Sequence, residues 1–430
     1  MGVRSVVVLN DFCHVQGGAS RVAIDEAVAL RQSGLDVTFI GAVGPVCEAL
    51  DAAGVRTICL NQTELAHVAQ HPLVAFQTLW NRTACRALRS LVPTLDPRQS
   101  IVHLHGYTKA LTAAPALIAC RTRLPVICTL HDFFAACPNG AFFDYRRQEP
   151  CQLRALSMSC AVTACDKRHP MHKAYRVVRG ISQRHIAQFP GSVRDYITLS
   201  GQSADLLRPY LPPDARFHPL PNIIDVQQSP KVDVGANRTL LVVGRLDAEK
   251  GVLLAAEAAR HTGLPIVFAG DGPLRSAIEA TGARVTGWLT PDGVRHEIEQ
   301  ARCLIFPSLW YETFGLVVTE AAARGVPAIV SHIAAPAERI ASGPSGWLFR
   351  SGDLDSLMRC VQLTRDSDTV QAVGSAAYNA YWAKPSDPRR HTAELTAIYD
   401  AVIADNARTG GQPHRALAVA SNASPVMSRQ

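Results

Sequence analysis

The feature that most limits the fold of this chain is a recurring one. Short β-branched runs, apolar almost throughout, alternate with helical patterns. In the first half they read "SVVVLN", "DVTFIG", "RTICL", "IVHLHG", "PVICTLHD" and "YITLS"; in the second, "FHPLPN", "TLLVVG", "PIVFAG", "ARVTGW", "CLIFPS" and "PAIVS". Each is closed by Gly, Asp, Asn, Ser or a similar breaker. A strand covered on both faces of a parallel sheet has this appearance, because neither face alternates with solvent. Strand, helix and strand in repetition mean a doubly wound α/β arrangement. Two such series, joined by the proline-rich "RPYLPPDARFHPLPN", predict two Rossmann-like domains facing a central cleft, with the joint as hinge.

A chain of 430 residues is too long for one ordinary core. Apolar content of 47% and charged content of 18% suit a globular protein. No run reaches the roughly eighteen uncharged apolar residues of a membrane-spanning helix. The start, "MGVRSVVVLNDFCHVQGG", enters a strand without a signal-peptide pattern, so the expected location is cytoplasmic, with peripheral binding at the inner membrane face left open. The net charge of +7 allows anionic partners but makes no case for nucleic acid.

Chemistry concentrates where strands meet helices. "LLVVGRLDAEKG" places Arg245 and Lys250 between Gly244 and a helix start, where free N–H groups and the helix dipole favour phosphate. "AGDGP" lets backbone near Gly270 and Gly272 pass close to a ligand. "VTGWL" ends a strand in a glycine and an aromatic, fit to stack on a base or simply to pack. "CLIFPSLWYETFGLVVTEAAARGVP" sets Glu312 before a helix and Glu320 more than a turn inside it, with the N–H groups of Phe314, Gly315 and Leu316 able to face an anion. An ionised carboxylate in an apolar run such as "FGLVVTEAA" needs a partner.

The loop order G-R-L-x-x-E-K-G, A-G-x-G-P and P-S-x(3)-E-x-F-G-x(4)-E-A is similar to that of the retaining nucleotide-sugar glycosyltransferases of family 4, which have the GT-B fold. Gly17 and Gly18, "HLHGY", "TLHD" and "PNIID" match further positions, so the resemblance spans residues 1–405. It implies a UDP- or GDP-sugar donor, a glycan or lipid-linked saccharide acceptor, and a place in cell-surface polysaccharide biosynthesis. Arg245 and Lys250 would hold the diphosphate, Glu320 the ribose, and Glu312 the donor-sugar hydroxyls. His131 would contact the sugar from the other domain, beside Asp132, and Gly17–Gly18 would form the acceptor-side loop. No cofactor or metal is implied for the chemistry. The expected division is 1–213 acceptor side, 214–387 donor side, a helix over 388–405 returning to the first domain, and a disordered tail over 406–430. Two departures bear on acceptor handling: Asn222-Ile223-Ile224-Asp225 lacks the usual glycine, and Ser20 stands where glutamate is common. An epimerase-like enzyme or an inactive scaffold of the same fold are the rival readings.

The twelve cysteines are expected to be reduced, most of them as small core hydrophobes. Cys137, Cys151, Cys160 and Cys165 cluster in an insertion-like segment, 137–165. They read either as a structural zinc site, with His169 or His172 as substitute ligands, or as four separate thiols. The stretch that follows carries Lys167, Arg168, Lys173, Arg176, Arg179 and Arg184, a basic face suited to an anionic membrane or simply to solvent.

Overall fold

A computed structural model describes residues 2–64 and 79–409. The expected tail beyond 409 lies outside the described residues. The chain divides into two compact units. One comprises the described residues of Met1–Ala141, Gln152–Ile223 and Asp387–Gln430; the other comprises Phe142–Cys151 and Ile224–Ser386.

The first unit is built on a parallel sheet of β1 (Ser5–Phe12), β2 (Asp36–Val43), β3 (Arg56–Cys59), β4 (Ser100–Leu104), β5 (Val126–Thr129), β8 (Asp195–Thr198) and β9 (Arg216–Pro219). Their order is β3-β2-β1-β4-β5-β8-β9. A core of Val6, Val8, Ile101, Ile127 and Ile197 packs against Ala23, Ile24, Ala27 and Leu30 of the helix Gly18–Gln32. The helix Pro388–Arg408, capped by the Asp387 carboxylate on Arg390 N–H, adds Leu395, Tyr399, Val402 and Ile403 to the same core. "FHPLPN", grouped above with the second series, is β9, the edge of the first sheet. The division therefore falls at Ile223/Ile224 and not at 213/214.

The second unit holds β10 (Thr239–Val243), β11 (Ile266–Ala269), β12 (Arg284–Gly287), β13 (Ala301–Phe306), β14 (Ala328–Ser331) and β15 (Gly346–Phe349), in the order β12-β11-β10-β13-β14-β15 and all parallel. Successive residues feed opposite faces. Leu240 and Val242 meet Ala255, Ala256 and Ala259 of the helix Val252–Thr262, and Leu241 meets the core containing Val317, Val318 and Ala321 of the helix Leu316–Arg324. Burial on both faces is why these strands read as unbroken apolar runs. Sequence reading passes over β15, "GWLF", because a half-exposed edge strand has no such run. A short hairpin, β6 (Phe143–Asp144) with β7 (Glu149–Pro150), comes from the segment read as an insertion and groups with this unit. No helix among the described residues is long and apolar enough to cross a membrane.

Candidate active site

Both sheets reverse direction of build at their first strand: between β10 and β13 in the second unit, and between β1 and β4 in the first. Connections there leave toward opposite faces, so the loops at the carboxyl ends part and open a crevice. Gly17, Arg245, Lys250 and Glu312 stand on loops of these strands, while Gly270 and Gly272 follow β11, and His131 and Asp132 follow β5.

In the second unit the loop after β10 runs through the one-turn helix Ala248–Lys250 to Gly251, whose φ is 66°. A Cβ at Gly251 would run into the Pro307 carbonyl, so glycine lets this loop lie against the one after β13. Leu309 N–H donates to the Glu249 carbonyl at 2.9 Å, closing the contact. Lys250 Nζ thereby reaches Glu312 Oε1 at 2.5 Å. The same oxygen accepts from Trp310 Nε1 at 2.7 Å and Ser308 Oγ at 3.0 Å. Burial alone would raise the Glu312 carboxyl, but the Lys250 ammonium and these donors outweigh it and hold it below the ordinary value. The ammonium also lies 5.2 Å from the Trp310 ring centroid. Lys250 and Glu312, which the resemblance gives to different parts of the donor, are thus one ion pair.

Arg245 is half-exposed and leans on two buried acids, Asp247 at 2.6 Å and Glu249 at 3.7 Å. The sequence motif contains Glu249 but gives neither acid a role; they aim the guanidinium while leaving it accessible. Gly270 and Gly272 back onto this loop: a Cβ on Gly270 would overlap the Gly244 carbonyl, and one on Gly272 the Leu246 backbone. The glycines serve loop-to-loop packing in the first instance. The helix Leu316–Arg324 starts from Gly315, with φ 76°. Arg339, also unmarked in the sequence, donates to the Phe314 carbonyl at 2.9 Å and stacks over the Phe314 ring at 4.7 Å. Burial brings its guanidinium down to about 10. Glu320 is half-buried, not sunk in the core, and lies one turn along the helix from Leu316, on the same face.

In the first unit, Gly17 caps the helix Gly18–Gln32 with φ 139°. Ser20 explains its own departure from the usual glutamate: its Oγ accepts from Gln16 N–H at 2.7 Å and donates to the Gly17 carbonyl at 3.1 Å, tying the glycine loop to itself. After β4, the N–H groups of Thr108, Lys109, Ala110 and Leu111 all donate to the buried Asp11 carboxylate at 2.8–2.9 Å. His131 follows β5, with Nε2 3.0 Å from His105 Nδ1. Burial lowers His131 to about 4, keeping the ring neutral, and raises Asp132 to about 6 despite the Phe134 N–H that it accepts. Asn222, in the turn after β9, is buried, with Oδ1 lacking a hydrogen-bond partner.

Two profiles match the chain: "Glycosyltransferase Family 4" over residues 16–228 and "Glycosyl transferases group 1" over residues 237–365. This chain belongs to glycosyltransferase family 4. Among curated proteins, this family 4 chain is 31% identical over 140 residues to 2-deoxystreptamine N-acetyl-D-glucosaminyltransferase of Niallia circulans, covering 30% of this chain and 36% of that one. It is 30% identical over 135 residues to GDP-mannose-dependent alpha-mannosyltransferase of Corynebacterium glutamicum, covering 31% and 32%. The matches span about a third of these relatives' length. Among solved structures, sucrose-phosphate synthase from Thermosynechococcus elongatus superposes with TM-score 0.67 at 16% identity, over 94% of this chain and 100% of that one. Anabaena HepE in complex with UDP and glucose does so with TM-score 0.62 at 15% identity, over 94% and 99%. At such identities the likeness establishes the GT-B fold.

Among the described residues, no three of Cys137, Cys151, Cys160 and Cys165 bring their sulfurs within ligand distance of one another. The buried Lys173 ammonium instead contacts Cys165 Sγ at 3.2 Å and Cys160 Sγ at 3.5 Å, and Cys137 bonds to Asn139 at 3.1 Å. Burial works against the Lys173 charge, but the neighbouring sulfurs of Cys160, Cys165 and Cys137 outweigh it and raise its basicity. The basic-face reading changes. Arg176 pairs with Asp166 at 3.2 Å, and Arg179 donates to the Thr108 carbonyl at 2.8 Å and stacks on Phe134. With Lys173, these cations turn into the protein. The outward stripe of the helix Pro170–His185 is apolar: Met171, Val178 and Ile181 are 75%, 50% and 48% exposed.

Proposed function

We propose that this chain is a retaining glycosyltransferase that moves a sugar from a UDP- or GDP-sugar to a glycan or lipid-linked acceptor in cell-surface polysaccharide synthesis. The observation that carries the reading is the Lys250–Glu312 pair beside Arg245 at the switch point of the second sheet. Arg245, Lys250 and the helix N-terminus at Leu316 would hold the donor diphosphate. They would stabilise the charge that grows on it as the glycosidic bond breaks, which is where binding accelerates chemistry. Glu320 is assigned to the ribose hydroxyls. Gly17, Gly18 and Asp132 are assigned to the acceptor side, and His131 to the sugar.

Glu312 serves the sugar as a positioning base and not as the nucleophile. All of its hydrogen bonds noted above fall on Oε1, which leaves Oε2 to accept from a sugar hydroxyl. A carboxylate stabilised by an ammonium and two further donors is a poor attacking group. Retention then follows from attack on the face that the diphosphate leaves, with a phosphate oxygen taking the acceptor proton. The reading requires no metal, since the cationic loop and helix end supply the positive charge.

The acceptor side is assigned to an anionic membrane surface. Met158, Val162, Met171, Val178 and Ile181 are exposed, the exposed Lys167 and Arg168 fall between them in sequence, and the single acid of 152–186, Asp166, is buried in its pair with Arg176. An apolar stripe with a cationic border suits a lipid interface. The test of the whole reading is a panel of UDP- and GDP-sugars, scored by donor hydrolysis and by transfer to membrane extracts, with thermal shift against UDP, GDP and ADP. If no nucleotide shifts the melting point and no donor is consumed, the reading fails.

A further inference from the structure

Behind His131 lies a buried polar cluster that the proposed chemistry does not use. Glu26, on the helix Gly18–Gln32, is 3% exposed, and His103, His105 and His391 are no more than 2% exposed. His391 Nε2 meets Glu26 Oε1 at 3.0 Å, while Glu26 Oε2 has no hydrogen-bond partner. Two ring nitrogens lie near that oxygen, His105 Nε2 at 3.4 Å and His103 Nδ1 at 3.7 Å. His105 Nδ1 then meets His131 Nε2 at 3.0 Å. A line of contacts thus runs from a buried carboxylate, through one imidazole, to the histidine assigned to the sugar.

Counting donors gives this line a direction. Hydrogen positions follow from the network, because a neutral imidazole has one N–H and one acceptor nitrogen. His103 Nδ1 lies 2.7 Å from the Tyr399 hydroxyl, and its Nε2 lies 2.7 Å from Thr129 Oγ1. If Tyr399 donates to Nδ1, then His103 carries its proton on Nε2 toward Thr129. His105 Nε2 faces the unpartnered Glu26 oxygen and the His103 Nδ1 lone pair, at 3.4 and 3.1 Å. Two acceptors around one nitrogen require a proton there. His105 Nδ1 is then an acceptor, and the proton between the rings belongs to His131 Nε2. Burial, which disfavours the charged form of His103, His105 and His131, keeps all three rings neutral and the count intact.

We infer that Glu26, acting through His105, is a positioning residue that fixes His131 in the Nε2–H tautomer and so makes its Nδ1 the hydrogen-bond acceptor. A ring so held takes a hydrogen bond from a sugar hydroxyl and cannot give one. The assignment of the sugar to His131 rests on the proposed function; the tautomer does not. An N–H fixed by a buried acid is the arrangement that second partners impose on functional histidines generally.

The test is nitrogen NMR of protein labelled with 15N-histidine, with the His131→Asn variant identifying the His131 signals. Wild type is expected to show His131 protonated at Nε2; protonation at Nδ1 overturns the proposal without any activity measurement. Glu26→Gln replaces an acceptor with a group that can donate to His105 Nε2, which reverses the line, so His131 should switch to Nδ1–H. With that switch kcat should fall roughly tenfold to hundredfold, with little change in KM for the donor. A folded Glu26→Gln protein that keeps the wild-type tautomer overturns the role of Glu26. Stoichiometric metal in the purified protein, lost on His103→Ala, also overturns it, because Glu26 Oε2, His103 Nδ1 and His105 Nε2 are close enough to share an ion. If His131→Asn leaves transfer intact while both tautomer results hold, the sugar assignment fails and the positioning line stands.

Discussion

Lys250 and Glu312, 62 residues apart in the chain, meet through a 2.5 Å hydrogen bond between ammonium and carboxylate. They come from the loops after β10 and β13, which are neighbours in the sheet but have β11 and β12 between them in sequence. Each is the other's half-buried counter-charge. Neither can be changed without altering the state of its partner.

That coupling sets the first prediction. Lys250→Ala should lower kcat by about 10²–10³, as loss of a preorganised charge on a leaving group does. Glu312→Gln should also lower turnover. In a double-mutant cycle the two effects should fall short of additivity by about 1–3 kcal/mol. Steady-state kinetics on the two single variants and the double variant measure this, and simple additivity would refute the shared site.

Glu320 should separate from this pair. Glu320→Ala is expected to raise KM for the donor with kcat nearly unchanged, since a ribose contact is made alike in ground and transition states. Glu312→Gln should chiefly lower kcat. Isothermal titration with the free nucleoside diphosphate provides the check: Glu320→Ala weakens binding, and Glu312→Gln leaves it nearly as in wild type.

Asp132 predicts a pH effect with a definite sign. Its folded-state value is raised from 3.8 to about 6, chiefly by burial. The folded protein therefore binds this proton more tightly than the unfolded chain. The resulting stability is complete below about 3.8 and is lost as pH rises through about 6. His131, lowered from 6.5 to about 4, acts oppositely, with stability lost as pH falls across its own window. The difference between wild type and Asp132→Asn isolates the first effect. Urea midpoints from pH 4 to 7 should move in favour of the asparagine variant as pH rises.

The cysteine segment gives a prediction about metal. With the Lys173 ammonium between Cys160 and Cys165, protein washed with chelator should keep its melting temperature and contain no stoichiometric zinc. Lys173→Met should change the rate at which Cys160 and Cys165 are alkylated, because the ammonium contacts both sulfurs, at 3.5 and 3.2 Å. Equal labelling rates in both proteins would show that the contact has no chemical effect.

The outward stripe can be tested by sedimentation with vesicles. Wild type should pellet with vesicles rich in anionic lipid, and Met171→Glu with Ile181→Glu should abolish this without lowering donor hydrolysis in solution. Sedimentation indifferent to both changes would exclude this face.

Strands and the loops that follow them were legible in the chain because burial on both faces and turn chemistry are written in neighbouring residues. Pairings across the sheet were not. Nothing near Glu312 announces Lys250, nothing near Phe314 announces Arg339, and Asp11 gives no sign that it holds the backbone of 108–111. Each depends on strand order, which local pattern does not contain. The helix Pro170–His185 was misread for a related reason. Its sequence carries a basic stripe and an apolar stripe, and periodicity cannot say which faces the protein. The pairing of Arg176 with Asp166 and the seat of Arg179 on Phe134 decide it. The spacing of Cys160 and Cys165 gives no sign of Lys173, whose ammonium contacts both sulfurs.

The Asp11 cradle has one more consequence. Four successive backbone N–H groups converging on one point form the sort of concavity in which proteins seat phosphates. In the first unit that seat is taken by a carboxylate of the chain itself, buried and held by four charge-assisted hydrogen bonds. An incoming anion would have to strip those bonds from a charge with nowhere else to go. Two sheets of one topology are thereby made unequal: the first has internalised its own anion at the switch point, while the second presents cations there.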